Sequence, residues 1–127
     1  MSFAHLTIAT NDVASTSTFF QKVMKWIPLR MPQNIEIEAD WLEICEGQQL
    51  HILGVAEAVP PTDQEFGRHY AFFHPGDDFD PVIQRIETWG GELVEPIRET
   101  PFRRIFFRDL NGYLFELIDQ AAYQSET

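Results

Sequence analysis

Four side chains stand out as able to share a metal ion or move a proton together: His5, His51, His69 and Glu116. Glu116 is the one charge in the apolar run Leu114-Phe115-Glu116-Leu117-Ile118. Side chains alternate faces along a strand, so it shares a face with Leu114 and Ile118. A carboxylate on an apolar face costs roughly several kcal/mol unless a partner or a metal stabilises its charge. Spacing points to the partners. His69 follows His5 by 64 positions, Gly112 follows Gly47 by 65, and Glu116 follows His51 by 65. A diverged internal repeat of roughly 64 residues accounts for all three intervals. Halves packed about an approximate two-fold axis would bring His5, His51, His69 and Glu116 to one point. Three imidazoles and a carboxylate suit one divalent transition metal: Zn, Ni, Fe, Mn or Co. Each histidine alone reads as a hydrogen-bonded core or edge residue. The set of four at repeat-equivalent positions is what points to a metal. His74 lies outside the pattern, in a His-Pro-Gly turn, and reads as exposed.

The elements that must position these residues are legible in order. FAHLTIA at 3–9 forms a strand, and Asn11 or Asp12 caps a helix. Val13, Thr16, Phe19, Phe20, Val23, Met24 and Ile27 recur at helical spacing until Pro28. IPLRM, IEIEA and WLEIC follow as strand-like runs, the second alternating Ile35, Ile37 and Ala39 with acids. Glu46-Gly47 turns the chain into QQLHILGV, and the polar stretch Ala56–Gly67 connects the halves. RHYAFF is a strand stopped by His74-Pro75-Gly76. Asp80-Pro81 starts a helix whose apolar face is Val82, Ile83, Ile86 and Trp89, and Gly90-Gly91 ends it. Strands near ELVEP, RRIFFRD and YLFELID complete the chain. Asn111-Gly112 is a hairpin signal in which both positions tolerate positive φ. The tail after Asp119 carries no apolar pattern that would fix it.

Strand parity places Phe3, Thr7, Gln49, Leu53, Ala71, Phe73, Leu114 and Ile118 on the face of the candidate ligands. Leu6, Ile8, Leu50, Ile52, Tyr70, Phe72, Phe115 and Leu117 fall on the other face, under the two helices. An apolar face with a few polar groups is what a small-ligand pocket looks like. Phe3, Thr7, Gln49, Leu53 and Phe73 are therefore candidate substrate contacts. Arg98, Arg103, Arg104 and Arg108 cluster ahead of the last turn. They read first as solvated strand edges, with Arg104 the candidate for orienting an anionic substrate.

Composition bounds the rest. At 127 residues, with 44% hydrophobic and 23% charged residues, the chain is expected to be one soluble domain spanning 1–127, with half-repeats about 3–55 and 68–119. A net charge of -11 argues against nucleic acid or an anionic membrane as the main partner. Cys45 stands alone within WLEIC and reads as a core thiol in a reducing compartment. No signal-peptide pattern precedes His5, and no apolar run approaches the ~18 residues that span a bilayer, so a cytoplasmic location is expected.

HLTIATNDVASTSTFFQKVMKW, QQLHILGV, RHYAFF and RIFFRDLNGYLFELID together resemble successive segments of a vicinal oxygen chelate domain, the glyoxalase, bleomycin-resistance and extradiol-dioxygenase superfamily. The resemblance runs from Phe3 to Asp119, although Asp109-Leu110-Asn111-Gly112 replaces the family's usual Asp-Pro-Asp-Gly turn. It implies an α+β fold of paired βαβββ modules, forming a partly open mixed sheet or barrel around a divalent ion. In chains of this size it also implies a homodimer whose subunits share the metal site. His5, His69 and Glu116 match the family's two histidines and carboxylate, and His51 matches a fourth position that is often a carboxylate in the glyoxalase I branch. With all four as ligands the resemblance implies, as the first expectation, a metal-dependent glyoxalase I type lyase or isomerase acting on a small oxygen-rich substrate. Glu116 would then be catalytic, leaving the metal to take a carbon-bound proton. Three ligands, with His51 off the metal, would imply a non-haem Fe(II) dioxygenase or the fosfomycin-modifying branch. A metal-free ligand-sequestering protein of the bleomycin-resistance type is the alternative from another class.

Overall fold

The computed structural model describes residues 1–57 and 60–125. It divides into two compact units, 1–59 and 60–127, each built around one four-stranded mixed sheet.

The first unit runs β1 (His5–Thr10), α1 (Val13–Val23), β2 (Ile27–Pro28), β3 (Ala39–Cys45) and β4 (Gln48–Gly54). Its sheet order is β1-β4-β3-β2, with β1 and β4 parallel and the other pairs antiparallel. Asp12 caps α1, accepting from the Ser15 N–H at 3.1 Å, and buried Thr10 and Thr16 join hydroxyls beneath it at 3.1 Å. Phe19, Phe20 and Val23 of α1 are buried with Ile8, Leu42, Leu50 and Ile52 of the sheet. Each such side chain contributes ~1.5–3 kcal/mol on leaving water. Burying that face leaves His5, Thr7, Gln49 and His51 on the opposite one.

The second unit repeats the scheme: β5 (Tyr70–His74), a 3-10 turn, α2 (Phe79–Thr88), β6 (Glu92–Val94), β7 (Arg104–Arg108) and β8 (Leu114–Asp119), then α3 (Gln120–Ser125). The sheet order β5-β8-β7-β6 reproduces that of the first unit, again with the outer strand of each module parallel to its last. Even the register repeats. Thr7 pairs with His51 as Ala71 pairs with Glu116, so each predicted donor lies opposite the residue two beyond its module's histidine. Phe107, Phe115 and Leu117 are buried with Phe79, Val82 and Ile86 of α2. The observed fold is thus α+β with paired βαβββ modules and unclosed sheets.

Several local expectations need correction. α1 stops at Val23, capped by Met24, because Lys25 takes a left-handed φ of 62°; Ile27 is an exposed residue of β2. Of IPLRM only Ile27–Pro28 pairs, and IEIEA enters the sheet only at Ala39. β4 is already flanked by β1 and β3, and β3's other edge pairs with β2, so the alternation has no ladder to join. Asp78, not Asp80, caps α2, and Asp80 and Pro81 lie in its first turn; Trp89 is its C-cap and is 41% exposed. Gly90 does end the helix, with φ at 96°. In the final turn only Gly112 has positive φ among the described residues (92°), because the buried carboxylate of Asp109 organises it instead. Asp109 Oδ1 accepts from the N–H groups of Asn111 and Tyr113, each at 2.9 Å. The tail forms α3, held by Tyr123 between Phe73 and Phe102 with centroids 5.2 and 5.1 Å away. Cys45 ends β3 and is exposed rather than in the core. The connecting loop Ala56–Gly67 lies partly outside the described residues.

Candidate functional site

The predicted donors fall into two pairs, one in each unit. In the first, parity and register stack three aromatic rings. His51 lies between His5, with centroids 3.9 Å apart and planes 13° apart, and Trp41, at 3.8 Å and 5°. Trp41 is its antiparallel neighbour across β3 and β4. Nε2 of His51 lies 2.8 Å from Oε1 of Gln49, two residues along the same face. Burial, aided by the neighbouring His5, pushes the His51 pKa down, favouring the neutral ring. The indole Nε1 of Trp41 is buried without a hydrogen-bond partner among the described residues.

The second pair is His69 and Glu116, whose Nε2 and Oε1 lie 3.1 Å apart. Phe106 packs edge-on against the His69 ring at 5.3 Å. Nδ1 of His69 is buried and has no hydrogen-bond partner among the described residues. Glu116 is 6% exposed, so its charge requires the compensation expected of it. Its Oε2 accepts from Nη1 of Arg104 at 3.1 Å. Arg104, two positions from strict register on β7, is also buried, which corrects the solvated-edge reading for that residue, while Arg98 and Arg103 are exposed as expected and Arg108 is half-buried. Nη2 of Arg104 donates to Oε2 of Glu65 at 3.0 Å and to the Arg98 carbonyl. Burial opposes the Arg104 charge, but Glu65 and Glu116 together raise its pKa. Burial likewise works against the Glu65 charge, yet the Ile97 N–H, Arg104 and the Arg98 N–H outweigh it and hold the carboxyl low.

Imidazole and carboxylate are donor types that a divalent cation accepts. A 3.1 Å separation of Nε2 and Oε1 is what two adjacent donors keep on an ion with bonds of ~2.0–2.2 Å. Among the described residues no group of three or more His, Cys, Asp or Glu side chains is gathered to hold an ion.

The remaining predicted residues sort simply. Thr7 and Gln49 share the His5 and His51 face, and Leu53 follows on it, half-buried. Phe3 precedes β1 and is 48% exposed; Phe73 is 50% exposed and packs on Tyr123. His74, expected to be exposed, is buried, with Nε2 2.8 Å from the Asp78 carboxylate that Arg85 also binds. Glu65 escaped the sequence reading altogether, since a single acid in an irregular loop carries no periodic signal. Beside Arg104, a cleft of about 350 Å³ is walled by Arg98, Thr100, Phe102 and Arg103 among others.

Residues 2–117 match the family model for the Glyoxalase/Bleomycin resistance protein/Dioxygenase superfamily, and the chain belongs to that superfamily, the vicinal oxygen chelate fold. It is 26% identical to Glyoxylase I 4 of Arabidopsis thaliana, with 91% of this chain and 69% of that protein covered. It is 27% identical to glutathione transferase FosA of Serratia marcescens, covering 91% and 79%. Its fold is similar to the crystal structure of the fosfomycin resistance protein FosX from Listeria monocytogenes, with a TM-score of 0.78 at 20% identity over 99% and 98% of the two chains. No described helix is long and apolar enough to cross a membrane.

Proposed function

We propose that this chain is a metal-dependent enzyme of the fosfomycin-modifying kind, which adds water or a thiol to a small anionic substrate. Its donors are His5, His69 and Glu116, supplied by one chain or by two copies of it, and His51 stays off the ion. The observation that carries this reading is the stack at His51. An imidazole nitrogen binds a metal through a lone pair in the ring plane. Planes only 13° apart, with centroids 3.9 Å apart, meet far outside bonding range, so the two rings do not aim at one ion together. Trp41 on the other face and Gln49 at Nε2 hold His51 in that stack.

His5, His69 and Glu116 would hold a divalent ion, which when bound would supply electrophilic stabilisation to a substrate oxygen gaining negative charge. The chain's own groups do the rest. The cleft beside Arg104 is walled by Arg98 and Arg103 together with Glu99. Asp80 already holds Arg103, and Glu65 and Glu116 hold Arg104, so Arg98 is the candidate to meet a phosphonate or carboxylate there. Thr7, Gln49 and Leu53, with Phe3 ahead of them, and separately Phe73 are the further candidates for contact with the substrate's body. In the addition to an epoxide, the nucleophile bonds to one ring carbon, that carbon's C–O bond breaks, and the oxygen stays on the neighbouring carbon, where the nucleophile's proton ends on the new hydroxyl. FosX crystals hold Mn(II), one with sulfate and one with 1S,2S-dihydroxypropylphosphonic acid, a vicinal diol of the kind water addition gives.

The glyoxalase I reading is the second, supported by the likeness to Glyoxylase I 4. It needs Glu116 to accept a carbon-bound proton, whereas Oε2 already accepts from Arg104. The test is to supply Mn(II) and assay fosfomycin consumption with water and with glutathione, alongside isomerisation of a glutathione hemithioacetal. Turnover of the phosphonate and none of the hemithioacetal is expected. The reverse pattern would replace this reading with the lyase.

A further inference from the structure

Three buried charges lie in a row in the second unit: Glu65, Arg104 and Glu116. Two backbone N–H groups fix Glu65, that of Ile97 at 2.6 Å to Oε1 and that of Arg98 at 3.2 Å to Oε2. The Arg98 carbonyl accepts from Arg104 as well, so the 97–98 backbone holds both partners. Phe106 lies beneath the guanidinium at 5.1 Å. Arg104 therefore reaches Glu116 as a held fork rather than a loose surface side chain.

We propose that Glu65 is a positioning residue: acting through Arg104, it fixes Glu116 with Oε2 bound and Oε1 presented beside His69, and it offsets a cation that would otherwise oppose a metal there. The inference rests on Glu116 being a metal donor, as in the reading above. Its logic is electrostatic. The row as it stands carries one net negative charge. Without the Glu65 charge, the whole pull of Arg104 falls on Glu116, and the row becomes neutral where a cation must bind. Partners of ligand side chains typically change metal affinity ten- to hundredfold when removed, about the size expected here. A merely structural Glu65 would only tie the 60s loop to residues 97–98. It would change the unfolding temperature and leave metal affinity alone.

The experiment is Mn(II) titration calorimetry on the full chain, with wild type, Glu65→Gln, Arg104→Gln and the double variant compared well below their unfolding temperatures. Glu65→Gln is expected to weaken Mn(II) binding about ten- to hundredfold. In the Arg104→Gln background the same change should weaken affinity clearly less, because its route to Glu116 is gone and only the lost charge itself remains. Unchanged affinity in Glu65→Gln, or equal weakening in both backgrounds, overturns the positioning role while leaving the metal enzyme standing. A wild type that takes up no Mn(II) overturns both. Should Glu65→Gln not fold, Arg104→Lys keeps the charge and gives up the fork. It is expected to bind Mn(II) more weakly, and wild-type affinity in that variant overturns the proposal.

Discussion

Glu116 shows how far a single residue can be read. A lone carboxylate in an apolar strand demands compensation, and the structure supplies it from His69 on one oxygen and Arg104 on the other. The demand was legible because strand parity fixes its face. Glu65 was not, because its importance lies in the two backbone N–H groups and the guanidinium that a loop happens to bring to it. A sequence carries no period for that. Glu116→Gln keeps the shape but loses the charge, so Mn(II) affinity measured by calorimetry should fall at least about tenfold with far-UV circular dichroism unchanged. Asp109 offers a second test at this scale. Burial pushes its carboxyl up, against hydrogen bonds from Asn111 and Tyr113 that favour the charge. A raised folded-state pKa means that its contribution is fully present below the unfolded value of ~3.9 and is lost as pH rises through the folded one. Asp109→Asn keeps an acceptor for the Asn111 and Tyr113 N–H groups without a charge. Urea unfolding should therefore show it gaining on wild type as pH rises from acid to neutral, and a gap that shrinks would contradict this.

Elements were legible where two signals agreed. Apolar spacing and an acidic cap together located α1, and Asp12→Ala should cost about 1 kcal/mol in urea unfolding through the lost cap. Where one signal stood alone, context decided. The alternation of Ile35 and Ile37 with acids has no partner strand, and both isoleucines stay at least a third exposed. The final turn was placed correctly but its chemistry was not, since Asp109 rather than paired positive φ angles closes it. Gly112 remains obligatory there. Its φ of 92° disfavours a side chain, and a Cβ would come within 3.2 Å of the Pro61 carbonyl oxygen. Gly112→Ala should lower stability by at least ~1 kcal/mol in the same assay. The core answers to size: Phe115, fully buried on β8, should cost ~3–5 kcal/mol as Phe115→Ala.

At the scale of the whole molecule, the repeat was the most informative signal in the chain. Intervals of 64 and 65 residues anticipated two modules of identical strand order, and in each a candidate donor, His51 or Glu116, opposite the residue two beyond its histidine. What the intervals could not carry was ring orientation. His51 occupies a donor's position in the repeat, yet its ring is stacked between His5 and Trp41. That stack separates the three-donor account from the four-donor one, and one comparison tests it most directly: Mn(II) affinity and stoichiometry in His5→Ala and His51→Ala beside wild type. The account predicts that His5→Ala loses binding about a hundredfold or more, while His51→Ala stays within about tenfold and keeps wild-type stoichiometry. Loss of the metal from His51→Ala as complete as from His5→Ala would contradict it.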